Sequence, residues 1–233
     1  MQKPNRENIE LWFENNVDLH RRLIYLGSLS SDDKGNESGV DFRMSEILIK
    51  GISILESISS DPITIIMNNP GGDVYHGFAI YDAIKSSECN IRIVVYGMAM
   101  SMGSVILQAA DYRVMMPNST MMMHYGTNGI YDHSKNFIKW SEDAKRINRI
   151  MEDIYVDRLI EKIEEDRDEW ISNMKRIFSV EIKSKNMRPI KLSSNLYEDV
   201  RSIVSDMLNF DTILSPEDTI KIGLTDEIHT TNN

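Results

Sequence analysis

Residues 63–103 read ITIIMNNPGGDVYHGFAIYDAIKSSECNIRIVVYGMAMSMG, and this stretch decides the fold. Ile63–Met67 is a short apolar run rich in β-branched residues, the composition of a buried strand. It ends in the turn Asn68-Asn69-Pro70-Gly71-Gly72, after which Val74–Ile84 carries apolar residues at helical spacing. Ile91–Tyr96 is a second buried strand. It closes on Gly97 and runs into a small-residue helix starting near Ser101. Strands that alternate with helices imply βαβ units, hence an α/β fold with a mainly parallel sheet covered on both faces.

The flanks extend the same reading. Leu23–Gly27 is a compact apolar run closed by glycine, a first strand, and the polar residues 28–40 (SLSSDDKGNESGV) predict a mobile surface loop. Asp41 is placed to cap a helix over Phe42–Ile58, with Met44, Leu48, Leu55 and Ile58 on one face. The first twenty residues fit an amphipathic helix and a loose arm equally well. Beyond the central stretch, Tyr112–Met116 and Thr120–His124 read as short strands joined by the turn Pro117-Asn118-Ser119.

From Ser134 the period changes. Phe137, Trp140, Ala144, Ile147, Met151 and Ile154 recur at spacings of 3 and 4 among charged positions, which predicts one long helix with a narrow apolar seam. A seam so thin predicts packing against a single partner, another subunit; the alternative is that residues 161–208 fold back over it. Residues 161–196 are dense in charge and yield no clear period. Tyr197–Leu208 predicts a helix and Asp211–Ile213 a short strand. Ser215-Pro216-Glu217 then starts a helix that Gly223 stops, and Leu224–Ile228 returns to the core.

A chain of 233 residues supports one substantial core. The expectation is a single domain, with its core over about 20–130 and 209–230 and a helical handle with an insertion over about 131–208. A net charge of -10 argues against nucleic-acid binding, which rests on phosphate neutralisation by Lys and Arg. The single cysteine, Cys89, allows no disulfide framework and no CxxC metal site, and no histidine pair has metalloprotease spacing. The polar N-terminus lacks the apolar segment of a signal peptide, and no apolar run approaches the roughly 18–20 residues of a membrane span. A soluble, cytoplasmic protein without metal is the expectation.

Three features can carry chemistry. Consecutive glycines at Gly71-Gly72, at the start of a helix, let backbone N–H groups approach an anion; a plain strand-to-helix turn explains them equally well. Ser101 sits where a buried strand meets a helix, at the sheet edge where α/β proteins place ligands, but serine is also the commonest helix N-cap. His124 ends a strand beside the loop Tyr125–Gly129 and is either a hydrogen-bonded edge residue or a general base. His76, close to Gly71-Gly72, is its one rival.

Taken together and in order, these features closely resemble the Clp protease proteolytic subunit family. The resemblance rests on IIMNNPGGDVYHGFAIYDAI from Ile65, YGMAMSMGSVILQAAD from Tyr96 and MPNSTMMMH ending at His124, and it resumes over Asp211–Ile228. It implies a crotonase-like spiral of βαβ units with a protruding long-helix handle. It implies a serine endopeptidase with Ser101 as nucleophile, His124 as base and Asp211 as third member, the last found by counting back from Gly223-Leu224-Thr225-Asp226. Asp218 and Asp226 are the alternatives. The amides of Gly72 and Met102 would form the oxyanion hole, and Gly71, Tyr125, Gly126, Thr127, Asn128 and Gly129 would bind an unfolded polypeptide as an extended strand. No cofactor is implied. Homo-oligomeric stacked rings are, and a Clp-type ATPase unfoldase is allowed as partner, although this chain carries no counterpart of the family's N-terminal pore hairpin. The segment 161–208 has no place in the family pattern and leaves ring stacking open. The rivals are a viral capsid-maturation protease of the same fold, a crotonase-type acyl-CoA enzyme, a serine–lysine signal peptide peptidase and a non-catalytic ring subunit.

Overall fold

The computed structural model describes residues 6–28, 37–126, 134–181 and 190–230. In chain order the elements begin α1 (Arg6–Asn15), β1 (Val17–Asp18), β2 (Leu23–Gly27), α2 (Phe42–Ile58), β3 (Ile63–Asn69) and α3 (Val74–Lys85). They continue β4 (Ile91–Met100), α4 (Met102–Leu107), β5 (Tyr112–Met115), β6 (Thr120–Met123) and α5 (Ser134–Glu165). The chain ends with α6 (Arg167–Glu181), α7 (Leu196–Asn209), β7 (Thr212–Leu214), α8 (Pro216–Ile222) and β8 (Glu227–Ile228). Two compact units form: Met1–Met122 with Leu214–Ile220 and Thr225–Asn233, and Met123–Ile213 with Lys221–Leu224.

The first unit is the α/β layer expected from the sequence. Its strands run in the order β1-β2-β3-β4-β5-β8, with β6 on β4, and every pair is parallel except β1 with β2. On β3, Ile63, Ile65, Met67 and Asn69 are fully buried while the residues between them are half-buried. The Asp41 carboxylate accepts from Met44 N–H at 2.9 Å and caps α2, as its position predicts. β4 runs four residues past its expected end at Tyr96, because Gly97 (φ +77°) lets it bend and change partner. Arg92–Val95 pair with β5, and Met98–Met100 pair with β6. The expected loop over 28–40 falls mostly outside the described residues.

The second unit is built on three helices. Residues 161–196, opaque in the sequence, contain α6, whose Trp170, Met174, Ile177 and Phe178 form a buried face at helical spacing. Trp170 Nε1 donates to the Ile222 carbonyl at 3.2 Å. α7 packs along α5, and this corrects the reading of the long apolar seam. Ile147 and Met151 are only 7% and 5% exposed within this chain, so the middle of the seam is covered without a second subunit. Phe137 and Trp140, at 55% and 45%, remain open at the N-terminal end of α5. No helix among the described residues is long and apolar enough to cross a membrane.

Candidate active site

Two turns of the first unit abut. Asn69, fully buried at the end of β3, accepts from Gly71 N–H through Oδ1 at 2.8 Å and directs Nδ2 to Met44 Sδ at 3.2 Å. That side chain pins the turn from inside the core. Gly71 and Gly72 adopt φ of +95° and +144°, which L-residues with a Cβ avoid. A Cβ on Gly71 would stand 2.5 Å from Ser101 Cβ, 2.8 Å from the Met100 carbonyl oxygen and 3.0 Å from Met102 N. The glycine is therefore what lets the first turn close onto the second. On the far side, Val40 N–H donates to Gly71 O (2.6 Å) and Asp73 N–H donates to Val40 O (2.8 Å). These two bonds flank Gly72, so its own N–H points away from Val40.

Ser101 is held at φ +51°, ψ -123°, a strained backbone for a residue with a side chain. Its side chain makes no capping bond to α4, so the reading of Ser101 as an ordinary N-cap fails. The turn is supported instead by its backbone. Ser101 N–H donates to Met122 O at 2.8 Å, and Ser101 O accepts from Ser104 N–H (3.0 Å) and Ser104 Oγ–H (2.6 Å). The Met102 amide opens α4, one of the first-turn N–H groups that no carbonyl of the helix itself can satisfy.

The second unit brings together two candidate residues that lie 87 positions apart in the sequence. His124 Nδ1 lies 3.2 Å from Asp211 Oδ1. Asp211 is itself in the left-handed region, at φ +48°, directly after α7, and its carboxylate is 75% exposed. Aspartate tolerates that region better than most residues, so a carboxylate can be presented from a position glycine would otherwise fill. The two alternative aspartates are engaged elsewhere. Asp226 forms a two-oxygen pair with Arg113, at 2.6 Å to Nη2 and 3.0 Å to Nε, and Asp218 accepts from Ser215 Oγ–H at 3.0 Å. His76 is engaged too: its Nδ1 lies 3.2 Å from Ser45 Oγ on α2.

Of the expected substrate loop, Tyr125 and Gly126 are described, and Thr127, Asn128 and Gly129 lie outside the described residues. Tyr125 donates its N–H to Leu208 O at 2.9 Å, and its hydroxyl bonds the Glu152 carboxylate and lies 3.0 Å from Ser205 Oγ. Burial, and then the bond to Glu152, push the phenol up to about 12. Sequence reasoning missed this network and missed Asn69. Asn69 had a local signal, since asparagine in a turn commonly bonds the amide two residues on; the Tyr125 network had none, because Glu152 and Ser205 stand on helices whose contacts only the fold reveals. Among the described residues no cluster of His, Cys, Asp and Glu could hold a metal ion.

Residues 36–177 match the Clp protease family model. The chain is 31% identical over 140 residues to a Deinococcus radiodurans protein named ATP-dependent Clp protease proteolytic subunit, covering 59% of this chain and 64% of that one. It is 32% identical over 141 residues to ATP-dependent Clp protease proteolytic subunit 2 of Pseudomonas aeruginosa, covering 58% and 70% respectively. A subunit 2 of the same name from Nocardia farcinica is 31% identical over 164 residues, covering 66% and 75%. The chain thus spans roughly two thirds of the relatives it matches, and slightly less for the Deinococcus protein at 64%.

Proposed function

Because the chain belongs to the Clp protease family, we propose that it is a serine-type endopeptidase subunit that hydrolyses peptide bonds through Ser101, His124 and Asp211. The observation that carries this reading is the 3.2 Å approach of His124 Nδ1 to Asp211. A carboxylate at Nδ1 favours the tautomer with the proton on Nδ1, whose Nε2 can accept a proton, which is the work of a general base. Ser101 Oγ attacks the scissile carbonyl carbon as its proton passes to Nε2, and Asp211 stabilises the imidazolium that results. The Gly72 and Met102 amides hold the oxyanion of the tetrahedral intermediate, each donor worth roughly 10²–10³ in rate. The imidazolium then protonates the leaving amine, and water deacylates the enzyme by the reverse use of the same groups.

Substrates are unfolded polypeptides, bound as an extended strand along the segment that begins at Tyr125 and Gly126. No cofactor takes part in the hydrolysis. The working form is a cytoplasmic homo-oligomer in rings. The relatives are named as subunits of ATP-dependent proteases, and a separate Clp-type ATPase is the partner this suggests for the present chain. A crotonase-type acyl-CoA enzyme has no use for a His–Asp pair, and that pairing favours the peptidase.

The test is covalent labelling. A fluorophosphonate probe is expected to modify Ser101, identified by peptide mass, with labelling and peptide hydrolysis both lost in Ser101→Ala and in His124→Ala. Ser101→Ala that hydrolyses peptide like the wild type overturns the assignment.

A further inference from the structure

The catalytic reading above says which residues pair but not what sets their spacing. Two consecutive carbonyls in the last turn of α7 do so. The Leu208 carbonyl accepts from the N–H of Tyr125, the neighbour of His124. The Met207 carbonyl accepts from Thr212 Oγ1–H at 2.7 Å and from Phe210 N–H at 3.4 Å, the two neighbours of Asp211. The last four carbonyls of a helix have no partner within it, so these bonds satisfy groups on Met207 and Leu208, two buried residues, that would otherwise go unpaired. The Tyr125 side chain adds a second anchor, bonding Glu152 on α5 and lying beside Ser205 on α7. The Arg201 guanidinium, hydrogen-bonded to Asp153 and Glu198, lies 3.9 Å from the Glu152 carboxylate and adds a favourable charge beside it.

We propose that the last turn of α7 is the template that spaces His124 and Asp211, and that Tyr125 is a positioning residue for the base. This rests on the Ser101–His124–Asp211 reading and deepens it. The Tyr125 hydroxyl is committed to two helices and is not what binds substrate, which the segment would hold through its backbone, so losing the hydroxyl acts on turnover and not on affinity. Its phenol stays protonated through the working range, since burial has pushed it up to about 12, and the tether does not come and go with pH. The segment that looked foreign to the family pattern becomes part of the machinery: the end of α7 holds the neighbours of both the base and the aspartate.

Tyr125→Phe removes only the hydroxyl. The expected result is a fall in kcat, and in the rate of fluorophosphonate labelling per folded molecule, of about tenfold with KM unchanged, short of the ~10² that a 1 Å misplacement can cost. Glu152→Gln keeps an acceptor for the hydroxyl and should retain most of the rate. Glu152→Ala should match Tyr125→Phe, and the double variant Tyr125→Phe/Glu152→Ala should be no slower than either. Should Tyr125→Phe fail to fold, the Glu152→Gln and Glu152→Ala pair carries the same comparison. Wild-type kcat in Tyr125→Phe, or a raised KM at unchanged kcat, overturns the positioning role. His124→Ala in the same assays separates the two claims. If it is inactive while Tyr125→Phe and Glu152→Ala are normal, only the template fails; if it labels normally, the triad itself is wrong.

Discussion

Replacing Gly71 by alanine adds one methyl group where the two turns meet, and its effect can be worked from the distances. The new Cβ would lie 2.5 Å from Ser101 Cβ, whereas carbon atoms settle at about 3.5–4.0 Å. One turn must therefore recede by about 1 Å. The other near atoms are the Met100 carbonyl oxygen at 2.8 Å and Met102 N at 3.0 Å, both backbone, so no flexible side chain can absorb the movement. Backbone strain at φ +95° costs about 1–3 kcal/mol, and the overlap about as much again. A displacement of about 1 Å at Ser101 and at the Met102 amide should slow labelling and hydrolysis by around 10²-fold. Gly223→Ala is the matched control. It imposes the same strain at φ +92° against Lys162 Cβ, 2.4 Å away, in the other unit. Thermal unfolding and active-site labelling, each per folded molecule, are the assays. Both variants should lose comparable stability, but only Gly71→Ala should lose its rate. Wild-type labelling by folded Gly71→Ala would refute the claim that this glycine shapes the nucleophile turn.

Other expectations follow from the same geometry. Asp211→Asn should lose most of the activity, by up to ~10⁴, with little change in stability, because asparagine also tolerates φ +48°. Asp226→Asn should instead lower the melting temperature by weakening the pair with Arg113, and leave the rate per folded molecule within a few-fold. Phe137→Glu with Trp140→Glu, at the open end of α5, should reduce the mass measured by light scattering while secondary structure is retained; an unchanged mass removes this face from the assembly. The raised phenol of Tyr125 stabilises the fold fully below the unfolded-state value near 10, and that contribution is lost as pH rises toward about 12. Urea unfolding across that alkaline window should show Tyr125→Phe losing less stability than the wild type.

What the sequence made legible was whatever is local. The span of α2 and its Asp41 cap, the limits of β2, and the glycine-marked turns all follow from neighbours within a few residues, where propensity and capping act. The strand before Ser101 was read too short because its continuation depends on partners distant in sequence: Met98–Met100 pair with Thr120–Met122, and Ala99 also pairs with Asn69. α6 was hidden because its buried face is a minority among acidic and basic positions, and charge density masked the period. The seam of α5 was read correctly as apolar but given the wrong partner. Periodicity reports that a face is covered and is silent on what covers it; here Ile147 and Met151 are buried within the chain itself, on a helix that α7 packs along. In the candidate site, Asp211 could be counted back from Gly223, but Tyr125, Glu152 and Ser205 meet only through the packing of α5 on α7.

The long gap between His124 and Asp211, 87 positions, looks at first like an objection to their pairing. Energetically it is a small one. Closing a flexible loop costs only about 0.6 kcal/mol more for each doubling of its length. The intervening residues are not flexible loop in any case. Tyr155, Val156, Leu159, Trp170, Met174, Val200, Val204 and Met207 are all essentially buried, and α5 packs on both α6 and α7. Each fully buried large side chain contributes about 1.5–3 kcal/mol, far more than the added closure entropy. Once α7 packs on α5, its last turn delivers Asp211 from a helix end, and the Leu208 carbonyl holds the N–H of Tyr125, the neighbour of His124. An insertion is tolerable at this point because it is self-supporting and because its exit, not its length, determines where the aspartate lands.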